Sequence, residues 1–166
     1  MDAVAITGIV VAAVASLTGV VLQIVHDRRR QRELDRLARL NELRDVFDRG
    51  GDALIAALYA FDRRRAATPE QRSATGEDFN DKVEAVEVMA TRIAQRIGED
   101  EPAAQSYRGA LKSLDELREL AYEAGEGFNP EKSERANYLK ERVVTLRSEY
   151  LKDARSRVAD LEASRP

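Results

Sequence analysis

Four carboxylates hold the one spacing in this sequence that suits catalysis. Glu84 and Glu87 stand one helical turn apart, and Glu116 and Glu119 repeat that spacing further on. Hard divalent cations take oxygen ligands, so two such pairs on facing helices would hold magnesium. The chain has 30 Asp and Glu among 166 residues, so pairs at this interval also arise without a role. Glu84 and Glu87 flank Val83 and Val86, which puts them on the solvated border of a core. Other chemistries are excluded by residue type. With no Cys there is no disulfide, thiolate nucleophile or Cys-ligated metal. With one His, His26, no pair of imidazoles can share a metal within one chain. No glycine-rich phosphate loop, nucleophile elbow or His-Glu metal motif occurs.

The paired carboxylates resemble the acidic motifs of all-α nucleotide pyrophosphohydrolases. The resemblance implies a helical bundle that hydrolyses nucleotides with magnesium held by Glu84, Glu87, Glu116 and Glu119. That family's second motif usually ends in Asp, where this chain has Glu119. From the residues themselves, no catalytic, cofactor-binding or metal-ligating residue is assigned, and no small-molecule substrate is evident.

The elements that would position any site are helical. Apolar residues recur every three or four positions. The first series is Leu34, Leu37, Leu40, Leu43, Phe47, Leu54, Leu58 and Phe61, with Gly50 at the seam position between Phe47 and Leu54. Later series run from Phe79 to Ile97, from Tyr107 to Ala121 and from Leu139 to Leu161. Helices are expected over roughly 27–66, 77–98, 103–124 and 131–163, with neighbours antiparallel because the loops are short. Thr75-Gly76-Glu77-Asp78 reads as the start of the second helix and Gly98 as its end. Glu101-Pro102 and Asn129-Pro130 open the third and fourth helices, and Gly125 closes the third. Thr68-Pro69-Glu70-Gln71 fits a capping box within the linker. Gly50-Gly51 is the weak point of the first helix, costing about 2 kcal/mol against alanines. The expectation is one helix, kinked there at most; the alternative is a break with Asp52 capping a new start. At 1.5 Å per residue that helix would be about 60 Å long, and the fourth, about 50 Å, would bring Tyr150–Leu161 beside Leu37–Phe47. The five tyrosines read as boundary residues with wet hydroxyls.

Ahead of this lies a run of 23 uncharged residues, Ala3 to Val25. It would span about 34 Å, enough for a hydrocarbon core of about 30 Å. A cleaved signal peptide would need a positive leading segment, and only Met1 and Asp2 precede the run. Arg28, Arg29, Arg30 and Arg32 follow it, and arginines beside a span stay on the cytoplasmic side. They also suit anionic headgroups. The expected architecture is therefore all-α: residues 1–26 a transmembrane anchor with its N-terminus outside, 27–66 a long juxtamembrane helix, and 67–166 three further helices of an antiparallel four-helix bundle. Gly8, Ala12 and Ser16, with Ala15 and Gly19, place small residues at four-residue spacing, the pattern that lets membrane helices pack closely. Leu37, Leu40, Leu43 and Phe47 form a second candidate interaction seam.

Residues 26–66 hold 11 Arg and 8 acids, net +3, and residues 67–166 hold 16 Lys+Arg and 21 acids, net −5. An acidic distal part without an aromatic-studded basic surface argues against nucleic acid. Arg outnumbers Lys by 22 to 5, which fits a GC-rich bacterial genome. The expected protein is a non-catalytic scaffold or adaptor in a bacterial inner membrane, without cofactor. It would contact the lipid bilayer and either self-associate or dock a cytoplasmic partner. The alternative of a different class is an effector whose span oligomerises and perturbs the membrane. The orientation is directly measurable: a single cysteine introduced at Ser148 should react with an impermeant maleimide only after the cells are opened. Reaction in intact cells would reverse the topology.

Overall fold

In a computed structural model the chain is described over residues 3–125 and 127–164, with side chains from residue 23 onward. The uncharged run and its small residues Gly8, Ala12, Ala15, Ser16 and Gly19 fall outside the described side chains. Among the described residues no helix is long and apolar enough to cross a membrane. Four helices form: α1 (Ala3–Ala66), α2 (Arg72–Ile97), α3 (Pro102–Glu123) and α4 (Pro130–Ala163), with a short 3-10 turn at Pro69–Gln71 before α2. The chain divides into two units, Met1–Asn41 and Glu42–Pro166.

In the first unit the described part is helix, and every residue from 23 to 39 is exposed except the half-buried Arg36. In the second unit the helices pack as a bundle running alternately up and down. Contacts along α1 meet α4 in reverse order: Arg44 with Glu162, Phe47 with Tyr150, Gly51 with Arg147, Asp62 with Lys140 and Arg65 with Asn137. The same reversal holds for α2, where Glu42 meets Arg96 and Arg63 meets Asp78. Antiparallel α3 and α4 are tied by Glu101 to Arg157 at one end and by the Glu123 carbonyl to Lys132 at the other. The expected reach of α4 along α1 is met as far as Arg44.

The core follows the apolar series. Phe47, Leu54, Phe61, Val83, Val86, Ile93, Leu114, Leu117, Leu139 and Val143 are buried. Ala57 and Ala60 let α1 lie close to its neighbours, since both are fully buried. Helix ends form where the cap residues stand. Asn129 Oδ1 accepts the amide of Lys132 at 2.8 Å, and Pro130 opens α4. Gly98 closes α2 at φ +101°, a conformation that side-chain-bearing residues rarely adopt. At Thr68 the backbone amide donates to Gln71 Oε1 at 3.4 Å, the return arm of the expected capping box.

One boundary differs. The second helix starts at Arg72, not at Glu77, so Thr75-Gly76 lies inside it. The turn at Pro69–Gln71 already supplies the start, and the Thr75 hydroxyl donates back to Gln71 O at 2.9 Å instead of capping the turn ahead.

The helix is continuous through Gly50-Gly51. Tyr107 and Tyr150, fully buried, contradict the reading of all tyrosines as boundary residues; Tyr59, Tyr122 and Tyr138 are exposed. Their rings pack edge to face at 4.9 Å. Tyr150 donates its hydroxyl to Phe47 O at 2.9 Å, and Tyr107 donates to Gly50 O at 3.2 Å. Helix carbonyls have a second lone pair, so these bonds satisfy buried hydroxyls without breaking the ladder. Only a bare backbone allows the approach: a Cβ on residue 50 would lie 2.6 Å from Tyr150 Oη and 3.1 Å from Ile93 Cδ1. At residue 51 the nearest atom would be Leu151 Cδ2 at 3.1 Å, the tip of a flexible side chain.

Two expectations follow. Gly50→Ala should destabilise by about 1–3 kcal/mol through overpacking, against a helix-propensity gain of about 1. Gly51→Ala should stay within about 1 kcal/mol of wild type, because Leu151 can yield. Chemical denaturation followed by circular dichroism separates them. Burial also pushes the Tyr107 and Tyr150 hydroxyls well above the ordinary phenol range, with mutual repulsion and Asp48 adding to the shift at Tyr150. A raised folded-state pKa means stability is whole below the unfolded value of about 10 and is lost as pH rises through it. In an alkaline absorbance titration Tyr107 and Tyr150 should ionise only with loss of the helical signal.

Candidate functional site

The four carboxylates do not converge. Glu84 is exposed on α2, and Glu116 is half-buried on α3. Glu87 faces Arg118 at 3.5 Å, and Arg118 turns its other nitrogen to Asp115 at 2.7 Å. The cation between the two helices is thus a guanidinium. Burial raises the pKa of Asp115; Arg118 opposes that shift, and the charges of Glu87 and Glu119 add to it. Among the described residues no three acidic or histidine side chains are placed to hold a metal ion.

Several shallow grooves mark the described bundle surface. The one of about 490 Å³ beside Arg64 and Tyr122 is floored by Phe79 and edged by Arg118 and Glu119. Another, about 520 Å³, runs over Ala90 and Ala94 between α2 and α3, and is edged by Glu99 and Arg108, themselves paired at 3.0 Å. A third, about 320 Å³, lies between α1 and the end of α4 over Phe47 and Val158, edged by Arg44 and Glu162. Each has charges of both signs at its rim, and those of Glu99–Arg108 and Arg44–Glu162 neutralise one another.

The interaction seam expected at Leu37, Leu40, Leu43 and Phe47 is divided. Leu43 and Phe47 belong to the bundle's own core, and Leu40 is buried too. Leu37 is 52% exposed, and Leu34, one turn earlier, is 53% exposed. Arg28, Arg29, Arg30 and Arg32 are all exposed. At about 100° per residue, Arg28, Arg32, Arg36 and Arg39 fall within an arc of about 80° on the helix. Leu34 and Leu37 lie on the opposite side. Arg36 and Arg39 lie outside the run of closely spaced arginines that signals topology. The signal that finds them is the interval of four, four and three residues.

No family model, curated protein or solved structure matches this chain.

Proposed function

We propose that this chain is a membrane-tethered, non-catalytic helical scaffold. Residues 3–25 anchor it in a bacterial inner membrane with the N-terminus outside. The four-helix bundle stands in the cytoplasm, and the helix between them mediates association with a second copy or a docked partner. The observation that carries the reading is the pair Leu34 and Leu37, two large apolar side chains each about half exposed on α1. An amphipathic helix draws its stability from packing of its apolar side rather than from propensity. Self-association in a shared bilayer would supply that packing, with both copies pointing the same way.

The test is the molar mass of the detergent-solubilised full-length chain by light scattering. Wild type should be oligomeric. Leu34→Glu with Leu37→Glu should reduce the mass to that of a monomer if the leucines hold the copies together. Gly8→Leu with Ala12→Leu should do so if the span does. A monomeric wild type would overturn self-association.

A further inference from the structure

The groove beside Arg64 and Tyr122 differs from the other described grooves in its rim. Over Ala90 and Ala94, Arg108 meets Glu99 at 3.0 Å. Over Phe47 and Val158, Arg44 meets Glu162. At a fourth groove, about 140 Å³ beside Pro102 and Asp160, Arg157 meets Glu101 at 3.5 Å. Beside Tyr122 the opposed charges stay apart: among the described residues no ion pair joins Arg64 to Glu119 or Glu123. Arg118 is the remaining charge on this lining, and Glu87 and Asp115 already hold it.

Each wall is built for its charge. Arg64 is half-buried and lies against the bare backbone of α2, its Nε 3.5 Å from where a Cβ on Gly76 would start. On the other wall one turn of α3 presents Glu119, Tyr122 and Glu123, all exposed. Residues at i, i+3 and i+4 share a helix face, and like charges at i and i+4 repel. A cation between the two carboxylates turns that repulsion into attraction, and the Tyr122 ring offers it an aromatic face. Phe79 and Ala121 give the floor between the walls an apolar character. Sites for small molecules bury about 70–90% of their ligand, which a shallow groove does not. A side chain of a larger partner is held by the rest of its interface as well. We propose that this groove docks a segment of a partner protein in which an apolar residue stands between a basic and an acidic one. The base lies over Tyr122 between Glu119 and Glu123, and the acid meets Arg64. This rests on the reading of the chain as a scaffold that docks a partner.

The probes are two capped tripeptides, acetyl-Arg-Leu-Asp-amide and acetyl-Asp-Leu-Arg-amide, since either chain direction serves, and a neutral acetyl-Gln-Leu-Asn-amide. The full-length chain, labelled with fluorotyrosine and held in a non-ionic detergent, reports through the fluorine resonance of Tyr122, which Tyr122→Phe identifies. One charged peptide should shift that resonance saturably, and less so as salt rises. The neutral peptide should not. Arg64→Gln, Glu119→Gln and Glu123→Gln should each weaken binding about two- to fivefold, the range of an exposed ion pair. Glu149→Gln, the same charge change on α4 away from the groove, should leave it unchanged. No saturable shift, an equal shift with the neutral peptide, or equal loss on Glu149→Gln overturns the proposal. So does binding that ignores Arg64→Gln, because the groove then takes a cation alone. If Arg64→Gln with Glu119→Gln lowers the molar mass of an oligomeric chain, a second copy is the occupant and the proposal falls. A monomeric chain that still binds the peptide loses self-association and keeps this docking site, so the two failures are told apart.

Discussion

All four helices meet at the backbone of Gly50. Tyr107 comes from α3, Tyr150 from α4 and Ile93 from α2, and each reaches within van der Waals range of where a side chain on residue 50 would start. Two buried phenol hydroxyls need acceptors. The carbonyls of Phe47 and Gly50 are those acceptors. A slide of α3 or α4 by one turn would strand a hydroxyl at a cost of about 1–3 kcal/mol. The apolar series alone would tolerate such a slide far better, because Leu, Ala and Val recur along every helix. The glycine and the two tyrosines therefore fix the register, and the hydrophobic seams supply the bulk of the driving force.

This division explains what could be read in advance. Helix number, order and most ends were legible, because Asn129, Pro130, Pro102 and Gly98 act within one turn of where they stand. The faces were legible from the recurrence of apolar residues. Thr75-Gly76 misled because a cap sequence has no force once the helix has already begun upstream, at Thr68–Gln71. The tyrosines misled for a different reason. Whether a phenol ends in water or in the core depends on an acceptor some 57 or 103 residues away, and no local pattern carries that. Gly50 was seen as a gap in the seam, and its meaning came only with the rings that fill it. The paired glutamates were legible as a spacing, but the intervening Arg118 belongs to the helix face and to no motif.

Polar groups divide the surface by task. On the bundle several charges pair across helices, as at Arg63–Asp78 and Lys140–Asp62. Such exposed pairs contribute little each, about 0–1 kcal/mol, and chiefly keep the outer faces from attracting other things. Residues 23–39 are exposed apart from the half-buried Arg36.

The node at Gly50 has a consequence for how this chain can vary over time. A helix-favouring replacement is the commonest tolerated change at an exposed glycine, yet here the first methyl group collides with a ring from another helix. Residues 50, 107 and 150 behave as a single heritable unit. A side chain can enter at 50 only in a lineage that has already given up a ring at 150, and that lineage must first survive with a hole beside a bare helix. Drift along the rest of the seams, where leucine and valine exchange freely, would leave these three positions as the slowest to move.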